Sequence, residues 1–199
     1  MNDSKCSFAL FQYLAKLSKV DPGFTYDIAR NAKGKMTGFA WMTSVMRSHF
    51  ERYHSVIFLD AMKRKTNIHL WPYILVVIVN DLGESHPVCE SVMMAEVNQS
   101  YTFLIQAALK MCPKVSPTQI KVVFGDEFFS QKLIQTSGLH EAKLFFDHYH
   151  LILNQEKSLG PSLFQKTKVL LLSLLNAKSS SHFCDIKKAL VENTQVFPS

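Results

Sequence analysis

Two hydrophobic periods share this chain, and the switches between them mark its elements. Residues 7–18 place Phe8, Phe11, Leu14 and Leu17 on one helical stripe, with Ser4 or Ser7 available as an N-cap. Asp21-Pro22-Gly23 makes a turn. Phe24–Arg30 and Met36–Met42 predict two strands joined as a hairpin through Asn31-Ala32-Lys33-Gly34. Thr43 or Ser44 can cap a short helix ending near Tyr53. Three further strands follow: Ser55–Leu59, ending in Asp60; Asn67–Val79, with Pro72 implying a bulge or an edge; and Val88–Val97. Their short links predict an antiparallel meander.

After the meander the period returns to helical. Asn98 can cap a helix running to about Met111, with Tyr101, Ile105, Ala108 and Leu109 on its inner side; Pro113 and Pro117 end it. Ile120–Phe124 is strand-like and runs straight into Gly125-Asp126. A helix from about Glu127 to Thr136 closes at Gly138, and Ala142–Phe146 is a last strand. From His148 onward the pattern is mostly helical, broken at Ser158–Pro161 and Lys178–Ser181. Three strands, helix, strand, helix, strand, helix is the order of an α/β protein with a mixed sheet flanked by helices, and it is the order of the RNase H-like fold. The expected organisation is a helical lead-in at 1–23, a core at 24–155 and a helical segment at 156–199.

Composition narrows the class. The chain has 199 residues, 47% hydrophobic and 19% charged, which suits one globular domain with helical additions rather than a disordered chain. Lys and Arg exceed Asp and Glu by 22 − 16 = +6, a balance that favours polyanionic partners, nucleic acid above all. Cys6, Cys89, Cys112 and Cys184 are widely spaced and form no C-x-x-C pair, so neither a disulfide framework nor a zinc finger is expected. The longest apolar runs, Tyr73–Val79 and Val169–Leu172 with Leu174–Leu175, are too short to span a bilayer. No signal peptide is expected at Met1–Phe8. The expectation is a soluble intracellular protein with no membrane and no small-molecule substrate.

Two carboxylates stand at strand ends. Alone, Asp60 reads as a turn aspartate and Asp126 as a helix N-cap. As a pair they say more, because the first and fourth strands of an RNase H-like sheet are central neighbours. Two ionised carboxylates brought together repel unless a cation neutralises them. Oxygen ligands favour Mg²⁺ or Mn²⁺, and two such ions could activate a water or a 3′-hydroxyl at a DNA phosphate. Lys63-Arg64-Lys65 follows Asp60 closely and reads as a solvated loop or as phosphate contacts to DNA. Asp147 and His150, three residues apart, lack further ligands of zinc-site spacing.

From Phe24 to Asn154, about two-thirds of the chain, six ordered segments resemble the Mutator-like (MULE) transposase domain, shared with the plant far-red-response regulators. FTYDIARNAKGKMTGFAW resembles the family's lead-in hairpin with its late tryptophan; VIFLDAMKRKTN resembles its first catalytic strand; WPYILVVIVNDLGESHPV resembles its proline-bearing second strand and hairpin. AEVNQSYTFLIQAAL resembles the glutamate, spacer and aromatic-rich helix that follow, IKVVFGDEFFSQKLI the strand and helix around the second catalytic aspartate, and FFDHYHLILN a Cys/Asp-x-x-His segment. The resemblance implies a DDE/D enzyme of metal-dependent DNA cleavage and strand transfer, with Asp60 and Asp126 as catalytic, metal-binding aspartates and Asp147 and His150 as the Cys/Asp-x-x-His pair. It further implies DNA as partner, self-association and a nuclear location. Its third acid, a glutamate, would fall in HFCDIKKAL where Cys184 stands; Asp185 and Glu192 are the substitutes. The family's zinc-binding DNA-recognition modules have no counterpart before residue 20 or after residue 155. A domesticated or degenerate DNA-binding module without catalysis is the alternative reading.

Overall fold

The computed structural model describes residues 3–62, 70–126 and 129–146, with side chains from Phe11 on, and in the C-terminal part residues 164–165, 168–170, 172–173, 179, 181–182, 184–186 and 188–189. The chain forms two compact units, Met1–Phe145 and Phe146–Ser199. In the second, the described residues are mainly helical, with Phe164 and Ile186 buried.

The first unit opens with helix α1 (Asp3–Val20). It runs through Ser4 and Ser7, so neither serine caps it. Leu14 is its buried anchor, Leu17 is half-buried and Phe11 is exposed. At the turn that follows, the Asp21 carboxylate accepts from the Gly23 N–H at 2.9 Å and from the Ser44 N–H at 2.8 Å. One side chain thus ties the α1 exit to the start of a second helix.

Strands β1 (Thr25–Arg30) and β2 (Met36–Met42) pair antiparallel as expected. Helix α2 (Ser44–Tyr53) starts at Thr43, whose hydroxyl accepts from the Met46 N–H, and it buries Phe50. Then come β3 (Val56–Met62), β4 (Tyr73–Val79) and β5 (Ser85–Met93), each antiparallel to the one before. β3 runs two residues past Asp60, so that aspartate sits inside the strand. β4 and β5 are each shifted from their expected ranges. Pro72 stands just outside β4, where its carbonyl accepts from the Met93 N–H at 3.0 Å, and β5 ends before the helix is reached. The β4–β5 register shifts between Val76 and Val77, where Val88 of β5 is the extra residue.

Helix α3 (Asn98–Met111) buries Ser100, Tyr101, Leu104, Ile105, Ala107, Ala108 and Met111. Most of these recur at helical spacing, so one stripe faces the sheet. Its cap is Val97 rather than Asn98, with no side-chain hydrogen bond; the Ser100 hydroxyl instead donates to the Ala95 carbonyl at 2.7 Å. A single 3₁₀ turn (Pro117–Gln119) leads into β6 (Val122–Gly125), then α4 (Gln131–Thr136) and β7 (Lys143–Phe146).

The seven strands form one sheet in the order β1-β2-β5-β4-β3-β6-β7. β3 and β6 are parallel neighbours although 66 residues separate their partners, Val56 with Val122 through Phe58 with Phe124. This is the mixed α/β sheet of the RNase H-like fold, with the β1–β2 hairpin added at one edge. On one face, Ile57, Leu59, Ile74, Val76, Ile78, Ala40, Met42 and Val123 pack with Phe50 of α2 and the stripe of α3 in a single core. Fully burying an Ile or Leu side chain contributes roughly 1.5–3 kcal/mol, so this layer fixes the sheet. The opposite face is aromatic and half-buried. Phe58 stacks on Phe124 with centroids 4.9 Å apart, and Phe124 meets Phe145 at 5.7 Å. Phe39, Trp41 and Tyr73 form a second group there.

Candidate functional site

Parallel pairing of β3 with β6 places the acids. The register runs Val56–Val122, Ile57–Val123, Phe58–Phe124. Continued by two residues, the same offset would set Asp60 beside Asp126. Neighbouring strands lie about 4.8 Å apart, so the two carboxylates emerge from adjacent chain positions at the same end of the sheet. Asp60 also pairs with Leu75 of β4, and its Oδ1 accepts from the Ala61 N–H at 2.7 Å.

Asp126 is not a helix cap. α4 begins at Gln131, capped by the Ser130 hydroxyl on the Leu133 N–H at 3.2 Å, four residues later than the sequence pattern indicates. Asp126 instead sits in the turn leaving β6, where its carbonyl accepts from the Phe129 N–H at 3.0 Å. The structural duty that would have explained this aspartate falls to Ser130.

The turn after β6 is built around an aromatic contact. Phe129 is buried and its ring meets Tyr101 of α3 edge to face. The Tyr101 hydroxyl donates to Glu96 Oε1 at 3.1 Å. Burial pushes the Tyr101 phenol well above its ordinary range, and the negative charges of Glu96, Asp126 and Asp60 push it further. One buried phenol therefore senses all three carboxylates. Glu96, at the junction between β5 and α3, was not among the sequence-derived site residues, although it is the glutamate of the AEVNQSYTFLIQAAL segment that carried part of the resemblance.

The donors suit a hard cation in chemistry. Mg²⁺ is held by one or two carboxylates and keeps several waters or takes substrate phosphates, and Asp60 with Asp126 supplies such a pair. Among the described residues, no group of three or more His, Cys, Asp or Glu side chains is placed to hold a metal ion. Glu96 accepts from Tyr101, and among the described residues the pair forms a two-carboxylate ledge.

The other sequence-derived residues fall elsewhere. Asp185 is helical and exposed in the second compact unit. Lys63, Arg64, Lys65, Asp147, His150 and Glu192 lie outside the described residues. The described cysteines Cys89, Cys112 and Cys184 are free, the first two buried. Among the described residues, no helix is long and apolar enough to cross a membrane.

A family model described as "Zinc finger SWIM domain-containing protein 1/3, RNaseH-like domain" matches residues 15–144. The chain belongs to this family. The matched span begins inside α1 and ends in β7, so it holds Asp60, Glu96, Tyr101 and Asp126, while Asp147, His150 and Asp185 lie beyond it. The family is RNase H-like, which agrees with the sheet order at the level of the fold. A comparison with curated proteins finds no match.

Proposed function

We propose that this chain is a transposase-derived module that contacts DNA at the end of the sheet where β3 and β6 finish, with Asp60 and Asp126 as its divalent-ion ligands. The observation that supports the reading is the parallel register of β3 and β6, whose last pair, Phe58 with Phe124, stands two residues before both aspartates. Membership of an RNase H-like family and the net charge of +6 support it. When bound, Mg²⁺ or Mn²⁺ would supply Lewis acidity at a phosphate oxygen. The chain's own part is to hold the two carboxylates on the rigid centre of the sheet. Nuclear location and self-association belong to the same reading and rest on the resemblance to Mutator-like transposases.

A second reading, a binding module without strand cleavage, is favoured by a separate observation. No third ligand joins the pair among the described residues. Titration calorimetry with Mn²⁺ and with Mg²⁺ on the wild type, Asp60→Ala and Asp126→Ala tests the ion site. Heat that disappears in both variants supports it; no binding at millimolar metal by the folded wild type overturns it. Incubating labelled duplex with protein and Mn²⁺ then separates the two readings: cleavage lost in both variants supports the enzyme, and intact duplex under ion-binding conditions leaves the binding module.

A further inference from the structure

The directions of β1 to β6 follow from the ladder: β2 opposes β1, β5 opposes β2, β4 opposes β5, β3 opposes β4, and β6 is parallel to β3. β1 therefore points the same way as β3 and β6. The β1–β2 turn consequently lies beyond Asp60 in the same strand direction: the ladder sets Asp60 level with Tyr26, so Arg30 stands four residues, roughly 13 Å, further along and four strand spacings, roughly 19 Å, across.

That turn is basic. Arg30, Lys33 and Lys35 stand on it, all exposed, and residues 28–50 contain no Asp or Glu. The one other cation of that stretch, Arg47, points inward and donates to the Gly23 carbonyl and the Thr25 hydroxyl, both at 2.8 Å. The hairpin at the opposite end of the sheet has the reverse character: the β4–β5 turn carries Asp81 and Glu84, which pair with Arg52 and His86. The two ends of the sheet thus differ in sign at their hairpin tips, a separation that orients a polyanion towards one end.

The turn is also held still. Asn31 Oδ1 accepts from the N–H groups of Lys33 and Lys35, both at 3.0 Å, and the Asn31 N–H donates to the Lys35 carbonyl at 2.9 Å. Gly34 takes a φ of 74°, which its missing Cβ allows. Arg30 Nη1 donates to the Gly34 carbonyl at 2.9 Å, which fixes the guanidinium over the turn. Presenting charges on an ordered turn lowers the entropy lost when they engage a ligand. Lysine on an edge strand also discourages edge-to-edge pairing, but Lys33 and Lys35 lie in the turn, where they blunt no strand edge.

We infer that the β1–β2 hairpin tip is a phosphate-gripping arm, in which Arg30, Lys33 and Lys35 contact the backbone of duplex DNA that runs across the sheet end towards Asp60 and Asp126. This rests on the reading that the chain contacts DNA. The two offsets combine to roughly 23 Å, about seven base pairs at 3.4 Å each, so one duplex reaches both features. Phosphate contacts give affinity without sequence preference and make it steeply salt-dependent.

The experiment measures binding of a fluorescent duplex of about 30 base pairs by anisotropy, with salt varied from about 50 to about 200 mM. It compares the wild type, the triple variant Arg30→Gln/Lys33→Gln/Lys35→Gln, and a charge-matched control, Lys16→Gln/Lys19→Gln/Lys121→Gln, at exposed lysines elsewhere. Thermal melting confirms that all three are folded. The tip variant should bind about tenfold or more weakly near 100 mM salt, and its log–log salt slope should fall by about 2 to 3; the control should stay close to wild type. Wild-type binding that the tip variant leaves unchanged, or that the control weakens equally, overturns the arm while leaving DNA contact in place. A wild type that binds no duplex overturns both the arm and the DNA reading.

Discussion

Phe129 meets Tyr101 edge to face, with ring centroids 4.4 Å apart and planes at 85°. This contact joins the turn that carries Asp126 to the helix that faces the sheet, so the position of the acid is coupled to the core. Replacing Phe129 with Ala should destabilise the protein by about 3–5 kcal/mol, as for other buried aromatic truncations. Urea denaturation gives the loss, and an unchanged midpoint would show the turn to be independent of α3.

Gly125 precedes Asp126, and a Cβ there would collide with the Phe129 ring. The ring is buried, so it has no open side into which to retreat. Gly125→Ala should therefore cost about 1–3 kcal/mol by overpacking, and it should weaken Mn²⁺ binding by displacing the Asp126 turn. A Gly125→Ala variant with wild-type stability and metal affinity would contradict this account.

The Tyr101 phenol stays protonated in the folded protein beyond the pH at which an unfolded tyrosine ionises, because burial and the surrounding carboxylates raise it. The stabilisation is complete below pH about 10 and declines as the pH rises through that value, where the unfolded chain loses the proton first. Burial and Glu90 raise the Tyr73 phenol in the same direction. Chemical denaturation between pH 8 and 11 should show falling stability, and Tyr101→Phe should make that fall shallower while costing about 1 kcal/mol at pH 8 for the lost bond to Glu96.

Asp21 behaves oppositely. The backbone N–H of Ser44 lowers its carboxyl below the ordinary aspartate value. That stabilisation is present above pH about 4 and is lost as the pH falls through the lowered value. Asp21→Asn should reduce the melting temperature at pH 7 and flatten the acid side of the stability profile; identical profiles for variant and wild type would contradict it.

Burial raises the thiols of Cys89 and Cys112, whereas Cys184 is exposed. In a Cys6→Ser background, an aromatic disulfide reagent should modify Cys184 within seconds to minutes in the native protein. Cys89 and Cys112 should react only after denaturant is added. Rapid native modification of all three would show the core to be open.

Much of the architecture could be read from the order of apolar runs. The β1–β2 hairpin, α2 with its Thr43 cap and the Tyr101–Ala108 stripe of α3 are local patterns, each set by turn chemistry or by one periodicity. Asp60 stood out because an apolar run ends at it. What escaped was set by competition between equally suitable local groups. Asn98 is a better cap by type than Val97, yet the chain enters α3 one residue earlier, with Ser100 bonded back to Ala95. Asp126 and Ser130 can each cap a helix, and in the fold Ser130 does so. The basic tip at the acids' end of the sheet depends on which strands neighbour one another, and no local spacing encodes that.

The parallel seam between β3 and β6 also governs when this protein can be made whole. β3 waits for a partner 66 residues later, while β4, β5 and α3 intervene and fold on short-range contacts. Long-range parallel pairing is slow to nucleate, because loop-closure entropy is lost before any hydrogen bond forms. A nascent chain that has emerged only as far as α3 presents Val56–Phe58 as an open apolar edge, the kind of strand that recruits a stranger. Ribosomal pausing or truncation between Met111 and Val122 should therefore yield aggregates, and the step that seals this edge is the same step that first brings Asp60 and Asp126 together.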